Sequence, residues 1–218
     1  MCAKTIKSKK VTEELAPEKF EPTAVFGWIK KYTNPWSVPE LINEEKSKGG
    51  LKQSLSLVAF FQVVNQIAVV LAFLIGSVFA NATAPINLPR LVLQSVVSAI
   101  VAIVIFYIMS GVIHIISRLL GGKSSYAQQC YLLAILNACV VTISSPLMLL
   151  VFVPFVGAVV QIILLIVSIY SFYPIFQVIR NINEFSKFKA AIVLVALFLV
   201  TFIFLTILIT VLGPPTAV

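Results

Sequence analysis

Five long segments of this chain are apolar, and none of them contains an aspartate, glutamate, lysine or arginine. They are residues 54–79, 91–116, 131–153, 158–178 and 190–212. A helix of about 20 apolar residues spans the hydrocarbon core of a bilayer. Barrel strands would show an alternation that these segments lack, and an open sheet edge finds no hydrogen-bond partner in lipid. The sequence therefore predicts an all-α protein, a polytopic bundle of five transmembrane helices.

The charged residues are concentrated before the first apolar segment. Residues 1–53 hold ten lysines and seven glutamates, although only 11% of the whole chain is charged and 60% is hydrophobic. A soluble globular chain is about 25% charged. We therefore predict four parts, in chain order: a disordered cytoplasmic arm at 1–21, an amphipathic interfacial segment at 22–53, the five-helix transmembrane domain at 54–212 and a short outer tail at 213–218.

The first half of the amphipathic segment predicts an interfacial helix. Its aromatic and aliphatic residues are interleaved with Lys30 and Lys31, and Asn34-Pro35 interrupts the pattern. Such a helix carries its aromatic rings at headgroup depth and its lysines towards anionic lipid.

The second half of this segment predicts another short helix. Ser37 and Glu40 have the spacing of a capping box, and Pro39 lies in the first turn. Glu45 is assigned to the polar side, and Gly49-Gly50 ends the helix. We expect this helix to lie along the cytoplasmic surface before the first span; an ordinary connector is the alternative.

The distribution of basic residues predicts the orientation. With the N-terminus in the cytoplasm, fifteen of the sixteen basic residues lie on the cytoplasmic side, and Arg90 is the exception. This pattern satisfies the positive-inside rule and leaves the C-terminus outside. The net charge of +8 is carried at the ends of apolar segments. We therefore expect anionic lipids of the bilayer as partners, and no nucleic acid.

The residue types that most catalytic and metal sites need are scarce. The chain has no aspartate, and Glu184 is the only carboxylate beyond residue 45. The single histidine, His114, has no strong ligands nearby in sequence that would complete a metal site. Since paired carboxylates cannot be assembled in the membrane, we expect no catalytic residue, no metal and no cofactor, and so no enzyme. For His114, interfacial packing is the favoured interpretation, and a direct functional role the alternative.

Small and polar residues within the spans predict sites of helix packing. Ala68, Ala72 and Gly76 recur every four residues, which lets two helix backbones approach closely. Packing within one bundle and packing against a second copy or partner both remain open. The polar residues beside the stripe either tie helices together or line a pathway. The candidate packing residues are Asn65, Gln66, Ala68, Ala72, Gly76, Pro146 and Gly157.

The stretch from His114 onwards resembles the Yip family of small membrane proteins, named for Ypt/Rab interaction. The matching features are His114 and Arg118 near the end of the second span, the Gly121-Gly122 turn, and the tyrosine-glutamine start of the third span at 126–129. Further on come Pro146, the segment 153–157, the fourth span through Tyr170 to Pro174, and the charged turn with Glu184. The segment 34–42 is similar to the opening of prokaryotic members, so the resemblance covers about residues 34–212.

This resemblance implies a five-span protein with a cytoplasmic N-terminus. Eukaryotic relatives belong to endoplasmic reticulum and Golgi membranes and are linked to Rab GTPases. This chain lacks the aspartate-containing segment that those relatives carry before the first span, and it is closer to archaeal and bacterial members. We therefore favour a prokaryotic cell membrane, with endoplasmic reticulum or Golgi membrane as the location in a eukaryote.

Together these features predict a non-enzymatic scaffold that organises membrane or binds proteins, possible partners being other proteins or a second copy of the chain. The alternative is a small transporter or transporter subunit, motivated by the polar and proline residues in the spans. The candidate cytoplasmic interaction face comprises His114, Arg118, Gly121, Gly122, Lys123, Tyr126, Arg180, Glu184, Lys187 and Lys189.

Overall fold

The computed structural model describes residues 22–79 and 87–212 and, within them, all side chains except those of residues 22, 204–205 and 207–212. The arm at 1–21 and the tail at 213–218 lie outside the described residues. The described part is made of α-helices and contains no strand. The helices are α1 (Pro22–Thr33), α2 (Val38–Glu45), α3 (Leu51–Phe79), α4 (Leu88–Leu119), α5 (Tyr126–Met148), α6 (Val156–Ile182) and α7 (Lys187–Leu212).

Four helices, α3 to α6, are long and apolar enough to cross a membrane. The all-helical class predicted from the sequence is therefore confirmed for the described residues. The fifth predicted segment lies within α7, which has 26 residues and carries its lysines only in the first turn.

Local signals fix the ends of the helices around the turn between α4 and α5. Leu119 is the last residue of α4, and Gly121 follows with a φ of 86°, a conformation that glycine adopts without strain. The Ser125 side chain accepts a hydrogen bond of 3.2 Å from the backbone nitrogen of Gln128 and so caps α5. Helix α4 therefore continues three residues beyond the predicted apolar segment 91–116 and ends just before the turn that contains Gly121 and Gly122.

Helix α5 is the centre of the bundle. It contacts α1, α3, α4 and α6, while α7 packs against α4 and α6. More than half of its apolar window is buried by protein, compared with 11% for α4. A helix surrounded by protein can carry polar groups such as Gln129 that meet other helices, whereas a helix facing lipid must be apolar on its exposed side. This difference explains why α5 is the least hydrophobic of the four long helices.

Helices α1 and α2 form a hairpin that docks on the bundle with its apolar side. Helix α1 contacts α5, and α2 contacts α6. Tyr32 and Leu41 are each 1% exposed within the main hydrophobic core. The predicted capping box is wrong, because the Ser37 side chain makes no hydrogen bond to the first turn of α2. Glu45 is also not on the polar side: it follows Leu41 by four residues and is 6% exposed.

The connection between α5 and α6 is longer than the sequence predicts. Helix α5 ends at Met148, two residues after Pro146, and the chain turns from residue 149 to 155. The prediction that the third span continues to Val153 is therefore wrong. Proline offers no backbone N–H and crowds the preceding turn, so the helix does not continue far beyond it. Gly157 then passes directly against the carbonyl oxygen of Val151.

Gly157→Ala tests this close approach. A methyl group at this position would overlap the Val151 carbonyl, which belongs to the backbone and cannot rotate away. We expect a loss of about 2 kcal/mol or more in the free energy of unfolding, measured by thermal or denaturant unfolding in detergent. Gly111→Ala is the matched control, because no atom beyond its chain neighbours and the backbone of its own helix lies within 4 Å of the added methyl group. Equal stability of the two variants would show that the turn is not constrained in this way.

Candidate interaction face at the basic end of the bundle

Two turns meet at one end of the bundle, which we call the basic end. They are the turn between α4 and α5 at residues 120–125 and the turn between α6 and α7 at residues 183–186. The chain also enters α3 at this end, because the Gln128 side chain donates a hydrogen bond of 2.8 Å to the carbonyl of Lys46. Among the described basic residues, only Arg90 lies at the opposite end of the bundle. The basic end contains most residues of the predicted interaction face.

Asn183 joins the two turns through buried hydrogen bonds. It is 2% exposed. Its Oδ1 accepts hydrogen bonds of 2.8 Å from the Ser124 hydroxyl and 3.4 Å from the Ser124 backbone nitrogen. Its Nδ2 donates a hydrogen bond of 3.0 Å to the carbonyl of Ile179. Gly122 lies so close that a methyl group there would overlap Asn183. The need for glycine at this position therefore comes from close packing between the turns.

An ion pair closes the same contact on the exposed side. The Lys123 ammonium donates to the Glu184 carboxylate at 2.6 Å, and both side chains are about two-thirds exposed or more. This hydrogen bond lowers the pKa of Glu184 from its ordinary value of 4.5 and raises the pKa of Lys123 above 10.5. The pair is therefore intact at neutral pH and is lost as the pH falls through the lowered pKa of Glu184. Since it is exposed, salt screens it, and it adds little stability.

Two cations lie at the carboxyl end of α4. Arg118 donates a hydrogen bond of 3.3 Å to the carbonyl of Gly122. Lys189 donates one of 3.2 Å to the carbonyl of Leu120, and its ammonium lies 5.8 Å from the centre of the Phe185 ring. Positive charge is favourable here, because the carbonyls at a helix carboxyl end are partly negative. These neutral partners hold the cations in place without neutralising them.

The predicted interaction face therefore carries a net positive charge. Within residues 22–79 and 87–212, no carboxylate lies within ion-pair distance of Arg118, Lys189, Arg180 or Lys187. Arg180 is half-buried, and Lys187 is exposed. Only the charge of Lys123 is balanced within this group.

His114 and Tyr126 lie between helices rather than on the exposed turns. Their ring centres are 5.6 Å apart, and the Tyr126 hydroxyl donates 3.0 Å to the carbonyl of Tyr107. The Tyr107 hydroxyl is in turn 3.0 Å from that of Ser54. This series of contacts connects α5, α4 and α3. It agrees with a packing role for His114, although its Nδ1 is buried without a hydrogen-bond partner.

The family follows from comparison of the whole sequence with models of protein families. The model described as the Yip1 domain matches residues 52–209, which is most of the chain. The chain belongs to the Yip1 domain family. No curated protein and no solved structure gives a match. The match confirms the resemblance to the Yip family, and with the four long apolar helices it identifies an integral membrane protein.

The small-residue stripe of the Yip1 domain points into its own bundle. Ala68 and Ala72 on α3 are 6% and 4% exposed, and Gly76 lies against the ring of Phe152. Asn65 and Gln66 are half-buried. The stripe is thus occupied by the chain itself, and a homo-oligomer through membrane helices stays a prediction.

The remaining packing candidates differ from one another in their surroundings. Gln66 lines an apolar groove of about 310 Å³ between α3 and α4, opposite Ser95 and Ala99. Pro146 is exposed, whereas Gly157 is buried. Among the described residues, no three His, Cys, Asp or Glu side chains come together as a metal site would require.

Sequence reasoning missed Asn183 and Glu45, which hold the basic end together. Glu45 accepts from the Trp28 indole at 3.2 Å, the Tyr131 hydroxyl at 3.2 Å and the Lys48 ammonium at 3.0 Å. Its spacing from Val38, Leu41 and Ile42 was the signal for burial, since residues at i, i+3, i+4 and i+7 share one face. Asn183 carried only a weak signal, the preference of asparagine for helix ends.

Asn183→Ala tests the connection between the two turns. The change removes the acceptor of Ser124 and leaves that buried hydroxyl unsatisfied, so we expect a loss of about 1–3 kcal/mol in the free energy of unfolding. Asn181→Ala is the matched control, because the side-chain nitrogen of Asn181 has no hydrogen-bond partner. Equal destabilisation by the two changes would contradict the assigned role of Asn183.

Proposed function

We propose that this Yip1-domain protein is a non-enzymatic membrane scaffold whose basic end is a preformed docking surface in the cytoplasm. One observation carries the proposal: turns from distant parts of the chain are fixed to each other through Asn183 and Ser124, with the Lys123–Glu184 pair beside them. A surface ordered before binding loses less conformational entropy when a partner docks.

The proposal includes five spans, with the N-terminus in the cytoplasm and the C-terminus outside. Helix α7 has 26 residues and is apolar after its first turn, which supports a fifth crossing. The concentration of basic residues at one end supports the orientation through the positive-inside rule. We place the protein in a prokaryotic cell membrane, on the resemblance of its segment 34–42 to prokaryotic members.

Anionic phospholipid is the second partner of this surface in our proposal. Arg118 and Lys189 are held by backbone carbonyls, so their charges are fixed in position but not neutralised. Juxtamembrane cations of this kind attract anionic headgroups by about 1 kcal/mol each. The expected consequence is an enrichment of anionic lipid around the basic end.

The polar groups at the basic end support a structural rather than a catalytic role. Asn183, Ser124 and Tyr126 all use their side chains in hydrogen bonds between elements of the fold. Gln129, which is fully buried, donates 2.9 Å to the carbonyl of Ser110 on α4. Groups committed in this way determine the shape of the surface.

Affinity purification from native membranes into lipid nanodiscs tests the scaffold function. We expect a protein partner at reproducible stoichiometry, and we expect Lys187→Glu to reduce its recovery about tenfold, as a loss of about 1.4 kcal/mol in binding does. Lys30→Glu is the matched control: it reverses an exposed lysine on α1, away from the two turns.

Two outcomes would overturn the scaffold function. One is equal loss of the partner with both variants, which would show that binding does not use the turns. The other is solute flux in reconstituted vesicles that a folded Asn137→Leu variant abolishes. Asn137 is half-buried on α5 with an unpartnered Nδ2, and such flux would establish the transporter alternative.

A further inference from the structure

The hairpin of α1 and α2 extends along the bundle to a level well inside the ends of α6. The Tyr32 hydroxyl is 3.1 Å from that of Ser171, and the Tyr170 hydroxyl donates 2.6 Å to the carbonyl of Tyr32. At the tip of the hairpin, the Tyr173 hydroxyl donates 3.1 Å to the carbonyl of Pro35. The tip is therefore fixed beside residues 170–173 of α6.

This level falls within the thickness of the hydrocarbon core. Helix α6 begins at Val156, at the end opposite the basic end. A core of about 30 Å, at 1.5 Å per residue, extends from there for about 20 residues, to roughly residue 176. Ser171 lies about five residues inside that limit, or about 7 Å. Amphipathic helices at membrane surfaces reach a depth of about 5–10 Å.

The outer side of the hairpin presents aromatic rings that protein does not cover. Trp36, at the tip, is 89% exposed, and Phe26 is 76% exposed. Trp28, by contrast, is 7% exposed and donates its indole N–H to Glu45. A large exposed aromatic residue at this depth is favourable only if it faces lipid, since tryptophan prefers the boundary between headgroups and acyl chains.

The charges on the outer side of the hairpin are compatible with this position. Lys31 lies 3.3 Å from Glu40 and 2.5 Å from Glu44, so it is paired with carboxylates of the opposite helix. Lys30 is exposed and has a long apolar stem that can carry its ammonium towards the headgroups. Lys30 and Lys31 equal Glu40 and Glu44 in number, so these four residues together carry no net charge.

We propose that the hairpin of α1 and α2 is a wedge in one leaflet of the bilayer, with Trp36 among the upper parts of the acyl chains. It displaces lipid from the leaflet at the basic end and not from the other leaflet. The wedge rests on the proposed scaffold function in that it names how the protein would organise its membrane. The molecules that contact its outer side are phospholipid acyl chains, because the tip lies below the headgroups and presents an apolar ring.

The two tryptophans of the chain make a direct test possible. In Trp28→Phe, all tryptophan fluorescence comes from Trp36; in the matched variant Trp36→Phe, it comes from Trp28. Both variants are placed in vesicles of phosphatidylcholine with phosphatidylglycerol. Quenching is compared between lipids brominated on the acyl chains and acrylamide in the water.

For Trp36, we expect bromolipid to quench at least about threefold more strongly than acrylamide, with the deepest quenching about 5–10 Å below the headgroups. For the buried Trp28, both quenchers should act weakly. Strong quenching of Trp36 by acrylamide, or equal behaviour of the two tryptophans, would overturn the wedge.

Folding of the variants is checked by size-exclusion chromatography and circular dichroism. If Trp28→Phe does not fold, the contribution of Trp36 is obtained by subtracting the Trp36→Phe signal from that of the unmodified protein, and the same criteria apply. If the quenching of Trp36 contradicts the wedge, the expected effect of Lys187→Glu on partner recovery stays the same. If no protein partner is recovered, the expected depth of Trp36 stays the same. The two experiments therefore test the two proposals separately.

Discussion

The basic end depends on the hydrogen bonds that the buried carboxylate of Glu45 accepts. A buried charge is costly unless polar partners surround it. Trp28, Tyr131 and Lys48 provide three donors, and they come from α1, from α5 and from the chain beyond α2. Removal of the carboxylate would leave the buried indole N–H of Trp28 without this acceptor. The three donors thus bring the hairpin, the central helix and the start of α3 to one point.

The central position of α5 follows from the same arrangement. At the basic end the hairpin also packs against α5, through contacts of α1 and through the hydrogen bond from Tyr131 to Glu45. Gly49 makes this possible, because the chain passes directly over the ring of Tyr131 and a side chain there would overlap it. With α5 enclosed, its polar residues bond to neighbouring helices, and the apolar surface exposed to lipid belongs mainly to α3, α4, α6 and α7. The Yip1 domain therefore places its least hydrophobic span where lipid is excluded.

Much of this architecture was predictable because lipid imposes a simple rule on sequence. Uncharged apolar segments have to be helices, so the locations of α3 to α6 followed from the sequence, as did the break between α1 and α2 at Asn34-Pro35. The turns containing Lys123 and Glu184 were both assigned to one face, and their side chains do meet.

What sequence reasoning missed are contacts between residues distant in the chain. Asn183 and Ser124 are 59 residues apart, and no local pattern pairs them. Glu45 was assigned to the polar side because its charge was given more weight than its spacing from Leu41. The end of α5 was misplaced because hydrophobicity alone does not distinguish the helix from the apolar turn at residues 149–155.

The central claim is that the hairpin of α1 and α2 is part of the ordered bundle, and hydrogen exchange tests it most directly. Amide exchange would be followed by mass spectrometry on the protein in lipid nanodiscs. Slow exchange in residues 24–45, comparable with that of the turn residues 120–125 or slower, is the predicted result. The hairpin is tied to α5 through Glu45 and to α6 through Tyr32, and the turn is tied to α6 through Asn183. Exchange of residues 24–45 at the rate of an unfolded peptide would contradict the account, since the hairpin would then be a detached arm.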